Sequence, residues 1–111
     1  MDTYHYLDAL GALSDPTRRR IFEQLLAGPQ AVHELAAGMP VSRPAVSQHL
    51  RVLVDAGLVS VHPAGTRRVY TVRTEGLDAL RAVMDEFWNR ALEGYQRAAE
   101  AAAQPTPQRR T

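Results

Sequence analysis

The chain has 111 residues, 45% of them hydrophobic and 23% charged, with a formal net charge of +1. That length fits one domain with a modest core, for which burial shared with a partner is a natural supplement. Cysteine is absent, which excludes disulfides, thiolate metal sites and thiol nucleophiles together.

In chain order, residues 3–13 place Tyr6, Leu10 and Leu13 on one face of a short helix. Asp15 then suits an N-cap and Pro16 the first helical position, so a second helix is predicted over 16–27 with Ile21, Phe22, Leu25 and Leu26 inward. Gly28 and Pro29 stop it. A third helix is predicted over 31–37, burying Val32, Leu35 and Ala36. After the break at 38–41, Ser42 caps a fourth helix that reaches Ala56 and ends at Gly57, a residue free to adopt the left-handed conformation. Val46, Leu50 and Leu53 form its apolar stripe. Pro44, Gln48, Arg51 and Asp55 lie opposite, with Arg43 and Ser47 on the flank. Two such helices joined by a short turn match a helix-turn-helix.

Residues 58–61 and 68–72 are rich in β-branched side chains and read as two strands. The turn between them, 62–67, carries Pro63, Gly65 and basic residues near its tip, which makes an arginine-bearing wing. From Glu75 to Ala103 one long helix is predicted, with Leu77, Leu80, Met84, Phe87, Ala91 and Ala98 at alternating spacings of three and four. Val83, Trp88, Leu92 and Tyr95 widen that stripe beyond what one small domain can cover. Residues 104–111 read as a disordered tail, leaving residues 1–103 as one winged helix-turn-helix domain.

Charge is uneven along this plan. Residues 1–40 hold three Arg against five acids, and 74–103 hold three Arg against six. Residues 41–73 hold Arg43, Arg51, Arg67, Arg68 and Arg73 against Asp55 alone, a balance that points to a polyanion bound by the middle of the chain. No apolar run approaches the about 18 residues that cross a bilayer. No basic region followed by an apolar one opens the chain, so neither a secretory signal nor a membrane partner is expected and the location is expected to be cytoplasmic.

The expected fold is mainly α with a small β-hairpin, a winged helix-turn-helix in the order α-α-α-α-β-β-α. The stretches Leu13-Ser14-Asp15-Pro16-Thr17-Arg18, Val32-His33-Glu34-Leu35-Ala36, Ser42 to Leu50 with Leu53, Ala56-Gly57-Leu58-Val59 and Gly65-Thr66-Arg67-Arg68-Val69-Tyr70 resemble the ArsR/SmtB family of bacterial winged-helix regulators. The resemblance covers about residues 7–73. It implies a homodimeric transcriptional regulator, usually a repressor, paired through its first and last helices. Tyr6, Leu10, Leu77, Leu80, Met84, Phe87, Trp88, Ala91 and Tyr95 are the expected interface. Many members of that family sense metals through Cys pairs or through His and acids on the last helix. Here the third helix has no Cys and the last helix no His, so no metal site and no cofactor is expected.

The expected partner is double-stranded DNA carrying an inverted-repeat operator. Ser42, Arg43, Pro44, Ala45, Ser47, Gln48, His49 and Arg51 belong to the helix that would enter the major groove, and Arg67 and Arg68 to the wing. An Arg such as Arg43 can grip guanine O6 and N7, a Gln such as Gln48 can pair adenine, and Ser47 can read a base or a phosphate. Pro44 and Ala45 are small enough to let the helix sit close to the groove. For His49, a phosphate contact and a bracing role remain equal alternatives. At most one of Arg18, Arg19 and Arg20 is expected to touch DNA. An interaction module without specific DNA binding is the alternative class, and the nature of any small-molecule effector stays open. No nucleophile–base pair or phosphate loop points to an enzyme.

Overall fold

Both helix starts read from the sequence are formed as chemical caps. The computed structural model describes residues 3–103, with side chains from Leu7 onward; the expected tail at 104–111 and the side chain of Tyr6 lie outside the described residues. The elements run α1 (Thr3–Ser14), α2 (Pro16–Leu26), β1 (Gln30–Ala31), α3 (Val32–Ala37), α4 (Arg43–Asp55), β2 (Val59–Ala64), β3 (Arg67–Val72) and α5 (Thr74–Ala103). The Asp15 carboxylate accepts from the Arg18 N–H at 2.8 Å, with Pro16 opening α2. The Ser42 hydroxyl accepts from the Ala45 N–H at 3.3 Å, with Pro44 in the first turn of α4. Each cap satisfies a backbone donor that the helix itself leaves orphaned.

The chain divides into two units, Met1–Arg81 and Ala82–Thr111. In the first, Ile21, Leu35, Val46, Leu50, Leu53, Leu58 and Val59 are the largest fully buried side chains. Each contributes about 1.5–3 kcal/mol by leaving water. One residue expected inward lies outside the core, and α1 meets that core through small side chains. Helix α1 buries the small Ala9 and Ala12, while Leu7 and Leu10 stay exposed, because alanines let α1 lie close on its neighbours. Leu26, expected inward, is 57% exposed at the last position of α2.

The sheet has one strand more than the sequence suggests. Its order is β1-β3-β2, all antiparallel, with Gln30 opposite Tyr70 and Ala31 opposite Val69. Two residues are too few to show an alternating pattern, so β1 leaves no periodic signal. It nevertheless ties the wing to the start of α3. The hairpin loop is also tighter than expected. Pairing continues to Ala64 opposite Arg67, leaving only Gly65 and Thr66 in the turn. Gly65 has φ +65°, the conformation a first turn residue needs when a two-residue loop joins twisted strands. Pro63 is tolerated inside β2 because that strand is an edge, where a missing N–H breaks no ladder on its outer side.

The first turn of α5 is pressed against the end of α4. A Cβ added at Gly76 would overlap the Gly57 carbonyl oxygen and stand 3.0 Å from Gly57 C and 3.2 Å from Leu58 Cα. The Arg73 N–H donates to the Leu58 carbonyl at 2.8 Å, fixing the same junction. Leu77, on the expected interface stripe, is half-buried and packs against the core of the first unit.

The second unit carries α5 onward from Ala82. None of its described side chains is buried, and Met84, Phe87, Trp88, Leu92 and Tyr95 are exposed, Trp88 by 65% and Tyr95 by 75%. Arg90 and Glu86 face each other at 4.0 Å, one helical turn apart. Among the described residues no helix is long and apolar enough to cross a membrane.

Candidate nucleic-acid interface

Burial of Val46, Leu50 and Leu53 decides which face of α4 looks outward. That face presents Arg43, Pro44, Ser47, Gln48, Arg51 and Asp55, all exposed. The wing reaches the same side of the unit. Arg43, Ser47, Gln48 and Arg51 of α4 line one open cleft of about 650 Å³ with Arg67 and Arg68 of β3. Val54, Val61 and Tyr70 contribute apolar surface to it, and His33 reaches it from α3. Four guanidinium groups therefore share this hollow with one carboxylate, Asp55, a charge balance that favours a polyanion.

Six of the ten DNA-contact residues expected from sequence thus line one surface. The other four are placed differently. Ser42 is spent on the cap of α4, Pro44 is exposed in its first turn, and Ala45 is half-buried. His49 is half-buried and lies near Asp15, the cap of α2. The Arg18 N–H hydrogen bond is the main reason the Asp15 carboxyl sits below its ordinary value of 3.8. Charge from His49 and Arg18 and the Thr17 N–H add to the lowering, and burial opposes it.

Sequence reasoning missed His33 and Tyr70 as members of this cleft. Neither lies on the α4 stripe or at the wing tip, so only the packing of α3 and β3 beside α4 brings them there. The remaining arginines are elsewhere. Arg73 pairs with Glu75 at 3.5 Å. Arg18 is half-buried, its Nε without a hydrogen-bond partner, in a smaller hollow of about 390 Å³ lined also by Leu7, Asp8, Val52 and Asp55. Arg19 and Arg20 are exposed on α2. His62 is exposed on β2 with its Nε2 3.1 Å from the Ser60 hydroxyl, which also lies 2.9 Å from the Thr71 hydroxyl. Among the described residues no three His, Asp or Glu side chains converge as a metal site would require.

A helix-turn-helix of α3 and α4 beside a basic hairpin, with arginines of both in one cleft, defines a winged-helix DNA-binding protein. The comparisons with known proteins narrow this class. The family described as bacterial regulatory protein, arsR family, matches residues 15–61. The HTH-type transcriptional regulator Rv2034 of Mycobacterium tuberculosis is 55% identical over 107 residues, 96% of this chain and all of that protein. The transcriptional repressor SdpR of Bacillus subtilis is 36% identical over 63 residues, 57% of this chain and 70% of that protein. A solution structure of the homodimeric winged helix-turn-helix DNA-binding domain Mb0332 from Mycobacterium bovis, a possible ArsR-family regulator, superposes with a TM-score of 0.63. It shares 27% identity and covers 81% of this chain and 83% of that one. The chain belongs to the ArsR family: it is a DNA-binding transcriptional regulator and not an enzyme.

Proposed function

We propose that the protein is a homodimeric repressor that binds an inverted-repeat operator near promoters in the cytoplasm, without a metal signal. The observation that carries this reading is the single cleft in which Arg43, Ser47, Gln48 and Arg51 of α4 meet Arg67 and Arg68 of the wing. Helix α4 enters the major groove and reads base edges with Arg43, Ser47 and Gln48, while Ser42, Pro44 and Ala45 bring its N-terminal turn close to the bases. Arg51, Arg67 and Arg68 neutralise phosphates and supply affinity without sequence preference. His49 braces α4 against the start of α2, as its place beside Asp15 favours.

The working domain is residues 1–103. The second copy pairs through the first and last helices, with Tyr6, Leu10, Leu77, Leu80, Met84, Phe87, Trp88, Ala91 and Tyr95 as the expected interface. The exposure of Trp88 and Tyr95 supports this assignment, because aromatic side chains bury about 150–250 Å² each when covered. The homodimeric state of the Mycobacterium bovis neighbour and the repressor name of the Bacillus relative lend it support. Two-fold symmetry then sets two recognition helices about 34 Å apart, one DNA turn, and calls for a palindromic site whose occupation excludes RNA polymerase. The lack of cysteine supports control by something other than thiolate-bound metal.

The test is selection of bound duplexes from a random DNA pool, at near-physiological salt with a chelator present. The expected result is an enriched inverted repeat with half-sites about one turn apart. Retention of DNA with no enriched motif would overturn the operator reading and favour a module with only electrostatic affinity. Loss of all binding in chelator would overturn metal independence.

A further inference from the structure

We propose that His33 is a further DNA contact, its protonated imidazole donating to a backbone phosphate, so that operator binding takes up a proton. The proposal rests on the reading of the cleft as the DNA-binding face. His33 stands on α3, the first helix of the helix-turn-helix, and is half-buried, yet it lines the same hollow as Arg43, Arg51, Arg67 and Arg68. In a helix-turn-helix the first helix crosses the DNA backbone while the second enters the groove. A side chain of α3 that opens into this hollow therefore meets phosphate rather than a base edge.

The surroundings of His33 give the contact its pH dependence. Helix α3 packs against β1, α4 and β3. The charged or titratable groups lining the cleft from α4 are Arg43, Arg51 and Asp55, and from β3 they are Arg67, Arg68 and Tyr70. On α3 itself, Glu34 is already engaged, accepting from the Ala31 N–H at 3.0 Å. The four cations leave the hollow positive, and a phosphate entering it reverses that balance in favour of a protonated imidazole beside it. Imidazole is the side chain whose charge changes between about pH 5 and 8, so the reversal falls in an accessible range. The sign follows directly. A phosphate raises the proton affinity of His33 in the complex, so DNA binding is tighter below the titration and weaker above it. A shift of about one pKa unit makes that difference about tenfold.

The experiment measures dissociation constants by fluorescence anisotropy with a labelled duplex from the enriched pool, between pH 6 and 8 and over a range of salt. The wild-type protein is expected to bind up to about tenfold more tightly at pH 6 than at pH 8. His33→Gln should flatten this dependence and, at pH 6 alone, reduce the salt slope by about one. His33→Arg should bind without pH dependence and keep the slope at both pH values. His62→Gln, on the exposed face of β2, should retain the wild-type profile. A His33→Gln protein with the full pH dependence overturns the inference, as does a wild-type affinity equal at pH 6 and 8. Failure of the wild type to bind any duplex would instead overturn the DNA-binding reading on which it rests.

Discussion

Substituting Gly76 by alanine tests the packing that joins the start of α5 to the end of α4. The new methyl group would fall on the Gly57 carbonyl oxygen, with Gly57 C and Leu58 Cα at 3.0 and 3.2 Å. All three neighbours are backbone, and Gly57 is itself held at φ +79° by the left-handed end of α4. No side chain can swing aside, so α5 must retreat by roughly 1 Å or the turn must deform, an overpacking cost of about 1–3 kcal/mol. Alanine returns about 0.5–1 kcal/mol as a better helix former than glycine. The net expectation is a loss of about 1–2 kcal/mol. At about 4–8 °C per kcal/mol for a domain near this size, Tm should fall by roughly 4–16 °C. Thermal unfolding followed by circular dichroism, at one fixed protein concentration because association shifts Tm, gives the value. Gly11→Ala is the control, since a Cβ there meets nothing within 4 Å inside α1, and it should be neutral or slightly stabilising. A Gly76→Ala protein that melts at or above the wild type would refute the close approach.

Four other variants have defined outcomes. Arg43→Ala should relax preference at one base pair per half-site, whereas Arg67→Ala should weaken all duplexes alike and lower the salt slope by about one; selection and salt titration would separate the two, and an unchanged slope would remove Arg67 from the phosphate contacts. Trp88→Ala should weaken dimerisation by about 2 kcal/mol, some thirtyfold in the dissociation constant measured by sedimentation equilibrium. An undiminished dimer would place the interface elsewhere. Asp15→Ala should lower Tm at pH 7 by removing the cap of α2. The carboxyl is held below 3.8 in the folded protein, so its contribution is complete above that pH and fades as pH falls through the lowered value. The gap between variant and wild type should therefore close in acid, and a gap independent of pH would deny the carboxylate its capping role.

Much of the fold is legible because its signals are local. Asp15, Pro16 and Ser42 announce helix starts through groups one turn away, and Val46, Leu50 and Leu53 declare the inner face of α4 by spacing alone. The basic stretch 41–73 likewise carries the arginines of the candidate interface. Less legible are features whose partners are distant in sequence. Strand β1 exists because Gln30 and Ala31 meet Tyr70 and Val69. The packing of Leu77 on the first unit's core likewise has no local signal, since it follows from Gly76 letting that turn of α5 approach the end of α4.

The sequence by itself determined the class of protein: the helices and their caps, the wing, the absence of thiol chemistry, and the arginines available for a polyanion. The tertiary structure decided which of these act together. It placed Arg67, Arg68 and His33 beside Arg43 and Arg51, left His49 half-buried, and left Trp88 and Tyr95 uncovered. The physical reason is range. Capping and periodicity are set by atoms within a turn or two of the chain, whereas a binding surface depends on how separate elements pack, and one buried stripe or one missing Cβ decides which side chains meet.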